Sequence, residues 1–114
     1  MENVIVEKSK AFALRIINLY KYLNTNHKIS VISTQILKSG TSIGANVKEA
    51  TRAQSKPDFY AKLNISLKEA SETEYWLELL YESEYITKEQ FESIYNDCQE
   101  LLKILTAITK TQKN

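Results

Sequence analysis

Residues 40–44 read Gly40-Thr41-Ser42-Ile43-Gly44 and fit G-x-S-x-G, the turn that presents a nucleophilic serine in many hydrolases. A serine hydroxyl attacks only when a base takes its proton, and that base is usually a histidine held by an acid. The chain has one histidine, His27, and it precedes Ser42, whereas the elbow order places it after the serine. The elbow also follows a strand, and the flanks of Ser42 carry helical periodicity. The other reactive types fare no better. Cys98 lies on an apolar helical stripe and reads as a buried thiol. His27 sits in a polar loop. No Glu-x-x-His pair of the carboxylate-bridged di-iron bundles occurs. Tyr75, Tyr81, Tyr85 and Tyr95 need no cofactor to be explained as boundary residues. The expectation is therefore no catalytic residue, no metal and no cofactor.

The elements that position these residues are helices. Two glycines and one proline in 114 residues are too few for a turn-rich β fold. Four amphipathic segments stand out. The first runs from about Val4 to Asn24, with Ile5, Phe12, Ile16, Leu19 and Leu23 on one face, and the polar stretch 24–28 ends it. Ser30 is placed to cap the second, whose stripe is Ile36, Gly40, Ile43, Val47 and Ala50. Ser55, Pro57 and Asp58 open the third, which carries Phe59, Leu63, Ala70 and Leu77 and ends at Tyr85-Ile86. Thr87-Lys88-Glu89-Gln90 is a capping box for the fourth, whose stripe runs from Phe91 to Ile108. A polar tail, about 109–114, is expected to fray. Long helices with short connections imply an all-α, up-down antiparallel four-helix bundle, one domain over 1–114. One cysteine permits no internal disulfide, no apolar run reaches the ~18 residues of a membrane span, and the start lacks a signal-peptide pattern. A cytoplasmic protein is expected, with no membrane partner.

In this frame the glycines of GTSIG have a structural reading. Two glycines four residues apart let a neighbouring backbone approach, each at a propensity cost of about 1 kcal/mol. Antiparallel pairing with the third helix sets Gly40 opposite Ala70 and Gly44 opposite Ser66, both small. A kink at Gly40, with Thr41 or Ser42 bonding back to the helix, is the alternative.

Residues 39–80 also carry a family resemblance. The blocks Ser42-Ile43-Gly44-Ala45-Asn46-Val47, Glu49-Ala50, Asp58-Phe59, Glu72-Thr73-Glu74-Tyr75-Trp76-Leu77 and Leu79-Leu80 resemble, in order and spacing, the bacterial four-helix-bundle family that includes proteins encoded in intervening sequences of 23S ribosomal RNA genes. The resemblance implies a bundle that assembles into a ring, expected to be a homopentamer. It also implies, through accessory proteins of retroelement reverse transcriptases, a possible RNA or DNA partner or a nucleic-acid enzyme. It brings no established activity and no catalytic residues.

Helix three independently suggests assembly. Beside its main stripe runs a second one: Ile65, Glu69, Glu72, Trp76 and Leu79. A helix in a monomeric bundle needs one apolar stripe, and Trp is enriched at interface cores, so these five residues are the expected subunit contact. The competing explanation is a wide core with Trp76 at its edge. Glu69 and Glu72 need partners if buried, with Lys38 and Arg15 as candidates, or else lie solvated at a rim.

The net charge of +1 argues against non-specific nucleic-acid binding, but the distribution is uneven. Residues 1–68 sum to +7, 69–100 to −9 and the rest to +3. Up-down topology gathers Lys48, Arg52, Lys56 and Lys62 at one pole, with Lys8, Lys10, Lys110 and Lys113 from the termini, and puts Glu78, Glu82, Glu84, Glu89 and Glu92 at the other. Such a pole could bind phosphates by counterion release, with Lys48, Arg52, Lys56 and Lys62 as its nucleic-acid contacts. Against this, Glu2, Glu7, Glu49 and Asp58 dilute it, and it shows no set of exposed aromatics for stacking on bases. The first reading is thus a non-enzymatic ring-forming assembly or adaptor module. The alternative is a nucleic-acid-binding accessory protein.

Overall fold

The structure, a computed structural model, describes residues 3–112. It contains four helices, α1 (Asn3–Asn26), α2 (Val31–Ala50), α3 (Lys56–Glu82) and α4 (Lys88–Thr109), and no strand among the described residues. Each helix packs on its two neighbours in cyclic order, α1 on α2 and α4, α3 on α2 and α4, and among the described residues the backbones of the diagonal pairs stay apart. This is the up-down bundle. Its long dimension, 44 Å, is close to what the 27 residues of α3 require at about 1.5 Å each.

The core follows the expected stripes. Ile5, Phe12, Ile16 and Leu23 of α1 meet Ile36, Ile43 and Val47 of α2, Leu63, Ala70 and Leu77 of α3, and Ile94, Cys98, Leu101 and Leu105 of α4. Leu19, Phe59, Phe91, Tyr95 and Ile108 pack at its margin. Buried hydroxyls join α2 to α3. Ser66 Oγ donates to the Ile43 carbonyl at 2.8 Å, and Thr73 Oγ1 lies 2.8 Å from both Ser39 Oγ and the Glu69 carbonyl. No buried side-chain polar atom among the described residues lacks a partner.

The caps show where local chemistry rules. Ser55 accepts from the Asp58 amide at 3.2 Å while Asp58 accepts from the Gln54 amide at 3.2 Å. Thr87 and Gln90 form the full capping box. Ser30 makes no side-chain cap, contrary to expectation. Ser33 instead turns its hydroxyl to the Ile29 carbonyl (2.7 Å) and to Asn24 Oδ1 (2.9 Å), tying the α1–α2 turn together. The polar stretch after Asn24 does not stop α1, because Asn26 Nδ2 and the His27 amide bond back to the carbonyls of Tyr22 and Leu23, each at 3.0 Å. Conversely, α3 stops at Glu82, short of Tyr85. The Tyr85 amide bonds to the Leu80 carbonyl and the Glu84 amide to that of Tyr81, with Glu84 at φ 67°. This is a Schellman end with glutamate where glycine is usual. The tail docks on α3 as far as it is described, with Tyr60 hydroxyl 2.5 Å from Thr111 Oγ1 and Asn64 donating to Gln112 at 3.2 Å. Glu2 and Lys113 lie outside the described residues.

The glycine partners differ from the expected ones. A Cβ on Gly40 would stand 2.7 Å from Ile16 Cγ1, and one on Gly44 would stand 3.2 Å from the Ser9 carbonyl oxygen. Both glycines therefore face α1, not Ala70 and Ser66 of α3. The reason is angular. The α3-facing flank of α2 holds Ser39 and Ile43, and Gly40 and Gly44 lie one residue round, a sixth to a third of a turn toward α1. Ala70 and Ser66 are buried on α3, where the Ala70 carbonyl accepts from Cys98 Sγ at 3.5 Å. Thr41 Oγ1 does bond back to the Leu37 carbonyl at 2.7 Å, inside a continuous α2.

Candidate assembly face and basic pole

The second stripe of α3 lies at the surface beside α2. Ile65 is 42% exposed and neighbouring Tyr75 is 54% exposed, while Trp76 is half-buried against the core and tilts against Tyr75 with ring centroids 5.3 Å apart. Leu79 is likewise half-buried. Ser39 pairs with Thr73, so two antiparallel turns further on Val31, 74% exposed, comes level with the end of this stripe.

Glu69 and Glu72 are half-buried within it, and neither has an ion-pair partner among the described residues. Glu72 accepts from Trp76 Nε1 at 3.1 Å, which fixes the indole along the helix. Burial pushes the Glu69 carboxyl above its ordinary range; Glu72 adds to the rise and Lys68 opposes it. The two expected cationic partners are engaged differently. Arg15 lies across on α4, with Nη1 2.5 Å from Asp97 Oδ2 and Nη2 2.9 Å from Ser93 Oγ, and Lys38 forms no ion pair among the described residues. Geometry rules out Arg15 because α1 and α3 are diagonal.

At the α2–α3 turn, Lys48, Arg52 and Lys62 line one open hollow of about 890 Å³ together with Glu49 and Asp58. Lys62 Nζ is 3.1 Å from Glu49 Oε1, so one of the three cations is already neutralised. Lys56 is not in this hollow; it lines a separate one of about 350 Å³ with Pro57, Tyr60 and Thr111. Lys8 is paired with Glu100 of α4 at 3.1 Å. The pole is thus basic in sequence but partly cancelled in space.

Ser42 sits inside α2 with no strand before it, and His27 packs edge-on between the rings of Tyr22 and Tyr85. Cys98 is fully buried, and burial, with Glu74 and Glu78 nearby, pushes its thiol up to about 12, away from the reactive thiolate. Burial and donation to Glu78 at 2.8 Å likewise push the Tyr95 phenol up to about 12.

One feature has no sequence forecast: a groove of about 490 Å³ between α1 and α4, with Leu19, Ile86 and Ile94 among its apolar walls and Arg15, Gln90 and Ser93 at its rim. The stripes of both helices are regular here, and nothing in their periodicity says that α1 and α4 stand apart.

Residues 1–107 match the model of the family described as 23S rRNA-intervening sequence protein. A crystal structure of a protein of unknown function from the S23 ribosomal protein family of Bacteroides thetaiotaomicron superposes with a TM-score of 0.92 at 61% identity, covering 93% of this chain and 98% of that one. Among curated proteins, none matches the chain.

Proposed function

The chain belongs to the 23S rRNA-intervening sequence protein family, and we propose that it serves there as a non-enzymatic, ring-forming assembly module whose copies join through the outer face of α3. The observation that carries this reading is the exposure along α3 of Ile65 and, about three turns further on, of Tyr75, which tilts against Trp76. Aromatic anchors ringed by polar groups are the usual make-up of an interface centre. Glu69 and Glu72, lacking an ion-pair partner in their own chain among the described residues, fit a face whose cations come from another copy. The family resemblance suggests five copies.

Light scattering tests the reading. The wild type is expected at a multiple of the 13.1 kDa subunit mass, and Trp76→Glu at one subunit. A wild-type mass of 13.1 kDa would end it.

A second reading is favoured by one observation: Lys48 and Arg52 are exposed, have no ion-pair partner among the described residues and share a hollow. In an assembled ring this hollow would repeat around one rim, and RNA or DNA could bind there. Such binding is expected to weaken steeply with salt and with Lys48→Glu plus Arg52→Glu. Binding unchanged by that double reversal would exclude the site.

A further inference from the structure

We propose that the hollow where the α1–α2 and α3–α4 turns meet binds a quaternary ammonium ion, held by the rings of Tyr22, His27, Tyr81 and Tyr85 and by the carboxylate of Glu84. The site lies at the pole opposite the α2–α3 turn and does not depend on assembly. His27 packs edge-on between Tyr22 and Tyr85, with ring centroids 5.6 Å and 5.4 Å away. These three rings and Tyr81 line one open hollow of about 390 Å³, together with Glu84, Thr87 and Lys88. Tyr81 is fixed by stacking on Phe91, with centroids 4.5 Å apart. Converging aromatic walls attract a cation through the negative faces of their rings, and quaternary ammonium groups are the ligands such walls suit best.

The charges around the hollow favour the same sign of ligand. Neither α1 nor α3 carries a basic residue in its last turn, so the negative ends of two helix dipoles close on this pole without a cation of their own. The opposing positive end, the start of α4, is already satisfied by the Thr87–Gln90 capping box. Glu84 is exposed and has no ion-pair partner among the described residues. Lys28 and Lys88 oppose a cation. Lys88, however, lies 3.8 Å from Glu92, and Glu82, Glu84, Glu89 and Glu92 outnumber the two lysines here.

The backbone singles out the same place. Among the described residues, Lys28 at φ 52° and Glu84 at φ 67° are the non-glycine residues in the left-handed region. They flank the hollow on its two sides, next to His27 and Tyr85. Residues held in this region concentrate at ligand sites. The end of α3 needs only the backbone geometry of Glu84, which glycine would supply with less strain. The carboxylate kept there instead lines the hollow.

A choline titration followed by NMR tests the site. The reference ligand is dimethylbutanol, the neutral alcohol of the same shape in which carbon replaces the nitrogen. Choline is expected to shift the ring signals of Tyr22, Tyr81 and Tyr85 along one saturable curve, and the alcohol to bind at least about fivefold more weakly. Tyr85→Leu is expected to weaken choline about fivefold, the loss of one exposed cation–π contact. Glu84→Gln should weaken it about threefold, whereas Glu49→Gln, at the other pole, should leave it unchanged. Equal binding of choline and the alcohol would make the hollow an apolar one and overturn the proposal. Choline shifts that do not saturate, or an affinity that Glu84→Gln leaves at the wild-type value, would overturn it too. Tyr85 is half-buried, so circular dichroism checks that Tyr85→Leu folds; if it does not, the exposed Glu84→Gln and the neutral alcohol decide.

Discussion

The two sides of α2 and the open side of α1 solve the same problem differently. On its α1 side, α2 removes side chains: Gly40 and Gly44 let Ile16 and the Ser9 backbone come into contact. On its α3 side it keeps small hydroxyls, and Ser39, Ser66 and Thr73 bond across or into the seam. Between α1 and α4 neither device is present. That seam is the least packed of the four; a groove enters it, and the pairs Arg15–Asp97 and Lys8–Glu100 bridge its exposed edge. Close helix packing gains many small dispersion contacts, whereas exposed ion pairs gain little. The bundle is therefore held mainly around α2, and α1 is anchored on one flank.

The largest effect expected from breaking this contrast is at Gly40. A methyl there would meet Ile16 Cγ1 at 2.7 Å and Cγ2 at 2.8 Å. Ile16 is β-branched and stiff, so it cannot swing aside. Gly40→Ala is expected to destabilise by about 1–3 kcal/mol through overpacking, despite the helix propensity it gains. Urea denaturation measures this. The Gly40→Ala penalty should shrink in an Ile16→Ala background, because the clashing atoms are gone. A penalty equal in both backgrounds would mean that the glycine serves something other than the α1 contact.

The hydroxyl seam should respond next. Thr73→Val preserves shape and removes the oxygen that lies 2.8 Å from Ser39 Oγ and from the Glu69 carbonyl. A loss of about 1–2 kcal/mol is expected, since Ser39 is left buried with only a long contact to Ile36. Adding Ser39→Ala to Thr73→Val should then lose much less than Ser39→Ala alone. Additive losses would show that the two hydroxyls do not act as a pair.

These seams also mark the limits of what the residues announce. Helix number, order and core stripes were legible because burial repeats with the helical period, as in Ile36, Ile43 and Val47. The caps at Ser55 and Thr87 were legible because their chemistry is local. Gly40 was legible as a close contact but not by partner. Adjacent residues on a helix are 100° apart, and no local signal says which neighbour occupies which side. Ser30 misled for a related reason: Ser33, three residues on, competes for the same turn and has the half-buried acceptor of Asn24. On the candidate faces, the exposure of Ile65 follows from periodicity, while the Lys62–Glu49 pair that weakens the basic pole needs the α2–α3 register, which the chain order alone does not supply.

The smallest effect is expected at the open seam, and it is the sharpest check on the comparison. Arg15 makes more polar contacts than Ser39, Ser66 or Thr73: 2.5 Å to Asp97, 2.9 Å to Ser93 Oγ and 3.2 Å to the Ser93 carbonyl. Counting bonds alone would rank it above Thr73. Solvent screening ranks it below, because its side chain is 40% exposed and that of Asp97 47% exposed. Arg15→Met keeps the apolar stem against the groove and removes the charge. The expected loss is under about 1 kcal/mol at moderate salt and falls further as salt rises. Denaturation of Arg15→Met at low and high ionic strength decides the matter. A loss as large as that of Thr73→Val, unchanged by salt, would mean that α1 is anchored on both flanks and that the contrast between the seams of this bundle is one of appearance only.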